Sequence, residues 1–175
     1  MPARRLLLLA CLALPGCWGD DLDSESDLFI AEGCNPLASE LDCLLPYPTD
    51  FFRVEDSSRM SGWRVAIPDP AQLHDADGGI IDLLALHPAD GFSPGSQILV
   101  TFRRAIDDGP LVRADVDPLR SLDDDSPTVL VDAETGARVL HLAELDPRAE
   151  DDGERALIIR PLVRLADEHR YLVAL

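Results

Sequence analysis

The sequence Gln-Ile-Leu-Val-Thr-Phe at positions 97–102 decides the fold class, because apolar, β-branched and aromatic residues dominate it and the turn residues Pro94 and Gly95 precede it. Six more short β-rich runs, each bounded by turn residues, lie at 63–67, 80–84, 128–132, 137–142, 155–160 and 170–175. No segment repeats its apolar residues every 3.6 positions over 11 or more residues, which argues against a helical bundle. Seven short strands predict an all-β fold, a sandwich or a barrel.

One hairpin is visible in the sequence itself. The runs 129–131 and 138–140 are joined by the five residues Asp-Ala-Glu-Thr-Gly, which end in Gly136. A connection of this length with a terminal glycine is typical of a β-hairpin. Helix is predicted only in short pieces, around 118–122 and 142–145.

The charge of the chain limits its partners. The 33 acidic residues outnumber 15 basic residues, and the net charge is −18 with a pI near 4.3. Phosphate backbones are bound by Lys and Arg, so nucleic acid is excluded as a partner. An anionic membrane surface repels the chain as well, unless a covalent anchor holds it there. The 46% of apolar residues is enough to build a core.

The N-terminus has the pattern of an export signal. Residues 1–16 comprise a short basic start, the apolar run 6–14 and a Pro-Gly break, which is too short to span a membrane. The sequence Leu-Pro-Gly-Cys that ends at Cys17 resembles the lipobox of bacterial lipoproteins. The resemblance implies that Cys17 becomes the acylated first residue of the mature protein, and Trp18 after it implies the outer membrane. An ordinary signal peptide cut elsewhere is the alternative.

The cysteine count agrees with export. Cys11 would leave with the signal peptide and Cys17 would be acylated, so Cys34 and Cys43 remain. An even remainder in an oxidising compartment suggests a disulfide between them. Two buried free thiols or a metal-binding pair stay open as alternatives. The acidic stretch 18–33 predicts a solvated tether, so we assign residues 17–43 to a tether and cysteine loop.

The rest of the chain, residues 44–175, resembles two known domain types. The segments 92–102, 128–139 and 156–175 resemble a bacterial Ig-like domain, whose closing strands carry a proline and a tyrosine at the positions of Pro161 and Tyr171. This resemblance implies an Ig-like β-sandwich.

A second resemblance concerns the start of this domain. The segment 43–52, which contains Pro-Thr-Asp-Phe-Phe, and the turn Asp-Gly-Phe-Ser-Pro at 90–94 are similar to the N-terminal domain of bacterial virulence-factor lipases and related hydrolase-type lipoproteins. In that family an α/β-hydrolase domain follows this module. The chain is therefore expected to continue beyond Leu175 into a further domain, and its apolar final strand pattern agrees with this.

The stretch 91–95, Gly-Phe-Ser-Pro-Gly, matches the G-x-S-x-G nucleophile motif of α/β-hydrolases. That motif needs a strand before the serine and a helix after it, whereas a strand is predicted after Ser93. The residue after the nucleophile must donate its backbone N–H to the oxyanion, and Pro94 has none. We therefore predict a turn here, and no catalytic residue in the chain.

Other chemistry-bearing residues form no strong pattern. The four histidines, His74, His87, His141 and His169, are scattered singly, and we predict no metal site and no cofactor. Calcium at the acidic loops 123–125 and 150–153 is a lesser alternative, because loop carboxylates of extracellular β-sandwiches often bind it.

The sequence thus predicts a lipid-anchored cell-envelope protein whose Ig-like domain is a non-catalytic spacer or binding module. Its predicted partners are the membrane, through the lipid anchor, and an unidentified protein or glycan. The alternative is the accessory N-terminal domain of a surface lipase or esterase whose catalytic domain lies beyond residue 175.

Overall fold

A computed structural model of the chain describes residues 31–38, 42–86 and 88–175. Nine short strands run in chain order: β1 Arg53–Glu55, β2 Trp63–Val65, β3 Leu73–His74, β4 Ile80–Ile81, β5 Ile98–Val100, β6 Val129–Asp132, β7 His141–Leu145, β8 Leu157–Pro161 and β9 Tyr171–Ala174. One helical turn, α1 Leu83–Leu86, and four 3-10 turns, Asp50–Phe52, Asp69–Ala71, Pro118–Leu122 and Asp152–Glu154, complete the described elements.

Two antiparallel sheets build the main core. The order of the larger sheet is β5-β8-β7, and the smaller sheet pairs β6 with β9. Both sheets contribute to one apolar cluster, in which Leu130 of β6, Ala143 of β7 and Ile159 of β8 are at most 1% exposed. The described part of the chain is therefore mostly strand in small sheets and has no helix of seven residues or more, which confirms the all-β prediction.

The register of the larger sheet separates its two faces. Leu99 and Glu144 both lie opposite Ile158, so these three residues share one face. Their neighbours Ile98, Leu157 and Ile159 point to the other face and are buried in the core. Residues on the Ile158 face, including Arg160 two positions along β8, are only partly buried. The outer face of this sheet is thus open to solvent.

The N-terminal part of the described chain forms a second, smaller cluster. Phe52, Val65 and Ala71 are its buried residues, and the pairs β1–β2 and β3–β4 lie in this part of the chain. An antiparallel bridge between Tyr47 and Leu99 connects it to β5 through two backbone hydrogen bonds of 3.0 and 2.8 Å. The two clusters are therefore joined by backbone pairing.

Several local predictions are confirmed. Each of the seven runs contains strand residues, although 80–84 and 137–142 contain only two each. The predicted short helix at 118–122 is a 3-10 turn. The predicted hairpin at 132–136 forms, because Val139 N–H donates to Leu130 O and Gly136 N–H donates to Asp132 O. However, the strand that pairs with β6 along its whole length is β9.

Two predictions are wrong. Residues 142–145, predicted as helix, belong to strand β7, because Ala143 and Leu145 alternate with Leu142 and Glu144 in burial and β8 pairs with them. Residues 83–84, predicted as strand, begin helix α1, whose first turn the Asp82 carboxylate caps by accepting from the backbone N–H of residues 84 and 85. Among the described residues, no helix is long and apolar enough to cross a membrane.

Candidate functional site

The two cysteines left for pairing are joined. Cys34 and Cys43 form a disulfide with a Cα–Cα distance of 4.6 Å, which confirms that pairing and removes the alternatives of free thiols and a metal pair. Cys17, the predicted lipidation site, lies outside the described residues together with the signal peptide 1–16. Acylation of Cys17 stays a prediction.

The disulfide loop is held against the β domain. Asn35, the one asparagine of the chain, is 1% exposed; its side-chain amide donates to Pro46 O at 2.8 Å and its carbonyl accepts from Leu37 N–H at 3.0 Å. Cys43 and Leu44 pack on the cluster of Phe52, Val65 and Ala71. The cysteine loop, which the sequence grouped with the tether, thus contacts the folded domain directly.

Ser93 occupies a turn. Its hydroxyl accepts from Gly95 N–H at 3.3 Å, its carbonyl accepts from Ser96 N–H, and β5 begins at Ile98. Pro94 O accepts from Leu165 N–H at 3.2 Å, so the turn also ties two loops together. The strand–serine–helix geometry of a hydrolase nucleophile is therefore not formed around Ser93.

Three of the six carboxylates in the acidic loops contact other groups of the protein. Asp124 lies 3.3 Å from Arg138, Asp152 lies 3.4 Å from Arg155, and Asp151 accepts from Gly153 N–H at 2.7 Å. Within the described ranges, no three His, Cys, Asp or Glu side chains come together as a metal-binding group. Calcium at these loops has no further support and remains a prediction.

His141 is the centre of a buried polar network. Its ring is fully buried, with Nδ1 2.8 Å from Val139 O and Nε2 2.9 Å from Thr128 Oγ1, while its backbone N–H donates to Ser121 Oγ. A carbonyl oxygen only accepts, so Nδ1–H donates to Val139 O. In the neutral ring, Nε2 then accepts a hydrogen bond from the Thr128 hydroxyl. Ser121 and Thr128 are each 1% exposed and closed to any substrate, so this network is structural.

His169 forms an ion pair with Asp132. Nδ1 donates to Asp132 Oδ2 at 2.8 Å, while Oδ1 of the same carboxylate accepts from the backbone N–H groups of Glu134 and Thr135. The hydrogen bond from His169 is the main reason that the pKa of Asp132 is lowered, and the same bond raises the pKa of His169, with a smaller contribution from the Glu134 charge. The pair joins the end of β6 to the segment just before β9.

We expect this pair to stabilise the fold most between about pH 4 and pH 6.5. The pKa of His169 is raised in the folded state, so its contribution to stability is complete below the pKa of the unfolded state. That contribution is lost as pH rises through the pKa of the folded state. The lowered pKa of Asp132 gives stability that is lost as pH falls through its folded value. The melting-temperature deficit of Asp132→Asn should therefore be largest in this window and shrink above it. Asp125→Asn removes an exposed carboxylate as the control; an equal, pH-independent deficit in both variants would contradict the assignment.

A groove with a volume of about 600 Å³ lies on the outer face of the β5-β8-β7 sheet. We call it the arginine groove, since four of the 15 arginines of the chain line it: Arg113, Arg148, Arg155 and Arg160. Three carboxylates, Asp108, Glu144 and Asp146, lie among them, and Ile158, Leu145 and Pro147 supply apolar surface. In a chain of net charge −18, this patch has one more positive than negative charge.

The sequence pattern does not predict this groove. Arg155 and Arg160 belong to the segment predicted as a strand, and the alternation of Ile158 and Arg160 on one face could have indicated a polar outer surface. Arg113 is far away in sequence and comes from a connection with no regular structure. Only the fold brings it to the same cavity.

Comparison with known proteins gives no further guide to this site. No protein-family model, no curated protein and no solved structure matches the chain. Inference about function therefore rests on the residues and geometry of this chain.

Proposed function

We propose that the protein is a lipid-anchored protein of the cell envelope, acylated at Cys17 and placed at the outer membrane, whose Ig-like β domain is a non-catalytic spacer and binding module. The Cys34–Cys43 disulfide is the observation that carries the proposal. Disulfides persist in oxidising compartments such as the periplasm and the cell surface. The export signal and lipobox-like sequence at 1–17 supply the route and the anchor.

The packing of the β domain supports the Ig-like assignment. Two antiparallel sheets share one core, and Tyr171 at the start of β9 packs against it while its hydroxyl accepts from Ala166 N–H at 2.8 Å. A tyrosine at a strand corner whose hydroxyl bonds to nearby backbone is typical of Ig-like domains.

Acylation is tested by labelling. In cells grown with labelled palmitate, the wild-type chain should incorporate the label and pellet with the membranes, and Cys17→Ala should lose the label and move to the soluble fraction. The physical reason is that each buried methylene of an acyl chain contributes about 0.8 kcal/mol of membrane affinity, whereas the net charge of −18 opposes binding. Cys11→Ala, in the same leader, is the matched control and should behave as wild type. Labelled Cys17→Ala protein would refute the anchor.

A second candidate function is supported by the surface of β9. Leu172, Val173 and Leu175 are 56%, 38% and 54% exposed, and exposed apolar side chains along a strand are typical of a surface that another domain covers. This agrees with an accessory module that packs on a lipase or esterase domain in a longer polypeptide. A downstream reading frame that encodes G-x-S-x-G between a predicted strand and a predicted helix would favour this candidate.

A further inference from the structure

We infer that the arginine groove binds a hydroxylated organic anion, that is, a sugar that carries a carboxylate or a phosphate group. The inference names a ligand class for the binding role proposed above. It depends on the geometry of the outer face of the β5-β8-β7 sheet and does not require the lipid anchor.

Two of the four guanidinium groups, those of Arg113 and Arg148, are weakly held inside the protein. Arg113 approaches the carboxylates of Asp108 and Asp115 only to 3.4 Å. Arg155 approaches Asp152 to 3.4 Å, but its Nε also donates to Asp146 O at 3.1 Å, which holds this side chain in place. Charge-assisted hydrogen bonds between arginine and carboxylate are normally 2.7–2.9 Å long. The side chain of Arg148 is exposed and forms no ion pair with the residues that the structure describes. The guanidinium groups of Arg113 and Arg148 can therefore turn toward an incoming oxyanion at little cost.

Arg160 is held differently. Its terminal nitrogen lies 2.7 Å from Glu144, which fixes the side chain on the outer face of the sheet. Its Nε is buried and has no hydrogen-bond partner in the described structure. A buried donor without a partner is costly, and a ligand oxygen that reached it would remove that cost. Arg160 thus lines the groove with a guanidinium that Glu144 holds in place.

The other lining groups favour a sugar over a simple anion. Glu144 and Asp108 are carboxylates that accept hydrogen bonds from hydroxyl groups but repel a second anion. Ile158 and Pro147 give an apolar surface on which the C–H face of a sugar ring can lie. Binding sites that combine apolar surface with a few placed polar groups are typical of small-molecule ligands, and a volume of about 600 Å³ is within their usual range.

The charge pattern favours one anionic group on the ligand. Outside the groove the chain is strongly acidic, so a polyanion would be repelled by the remaining surface. Inside it, arginines recognise carboxylate and phosphate oxygens through paired N–H donors. A ligand with one charged group at the arginines and hydroxyl groups toward the carboxylates satisfies both conditions.

The test is a titration of the full chain, purified in neutral detergent, with glucuronate, glucose 6-phosphate, glucose and inorganic phosphate, followed by NMR of the Arg Nε–H and Ile158 signals. We expect saturable binding of the two anionic sugars and about tenfold weaker binding of glucose and of phosphate alone. A preference between the two anionic sugars tells whether the charged group is a carboxylate or a phosphate. Added salt should weaken binding, because screening weakens charge attraction.

Variants separate the groove from the rest of the surface. Arg113→Gln and Arg148→Gln should each weaken the binding of the anionic sugars about tenfold. Arg164→Gln, which removes an exposed arginine outside the groove, should leave it unchanged. Equal weakening by the control, or no saturable binding of either anionic sugar, would overturn the inference. Such a result would leave the palmitate labelling of Cys17 untouched, so failure of the ligand and failure of the anchor are distinguishable.

Discussion

Replacing His141 by leucine should lower the free energy of unfolding by about 3 kcal/mol. Leucine fills a similar volume, so the loss comes from two buried groups that lose their partner, the carbonyl of Val139 and the hydroxyl of Thr128. Leaving a buried donor or acceptor unpaired costs about 1–3 kcal/mol. Urea denaturation followed by circular dichroism measures the change.

A second substitution shows whether unpaired groups cause the loss. Thr128→Val removes the hydroxyl and leaves Nε2 of His141 without a donor, at a cost of about 1–2 kcal/mol. In the double variant His141→Leu/Thr128→Val neither side chain has an unpaired group, so the combined loss should be smaller than the sum of the two single losses. Additive losses would show that the two side chains do not interact. Thr128→Ser keeps the hydroxyl and is the control.

The His141 network also shows why the sequence predicted part of the fold and missed part of it. The strand at 128–132 could be predicted because it is a short run of mostly β-branched, apolar residues between turn residues. The strand at 141–145 could not, since His-Leu-Ala-Glu-Leu has good helix formers and its strand conformation depends on pairing with β8. Pairing between distant segments overrides local propensity, and a single sequence does not contain that pairing.

The candidate sites differ in the same way. The disulfide could be predicted because cysteine chemistry restricts the choice once two cysteines are assigned elsewhere, and only one pair remains. The arginine groove could not, because Arg113 and Arg155 lie far apart in sequence and meet only where the sheet places them. Among 15 arginines, sequence position alone does not distinguish these from Arg164 on the surface.

Removing the disulfide with Cys34→Ser/Cys43→Ser should lower the free energy of unfolding by about 2.5 kcal/mol, and the melting temperature by ~5–10 °C. The cysteines are nine positions apart, and a cross-link of this length removes a moderate amount of chain entropy from the unfolded state. In addition, Asn35 next to Cys34 holds the loop against Pro46 O, so its buried amide becomes easier to expose when the loop opens. Scanning calorimetry measures the shift.

Reduction provides the control within the same experiment. Dithiothreitol should lower the melting temperature of the wild-type chain by the same amount and leave the double serine variant unchanged, because only the wild type has the Cys34–Cys43 bond. Residues 18–175 made in a reducing cytoplasm should melt at the lower temperature and carry two more free thiols than the same residues exported to an oxidising compartment. A wild-type melting temperature that does not respond to reduction would contradict the stabilising role of the bond. It would also remove the main support for placing the chain in the envelope.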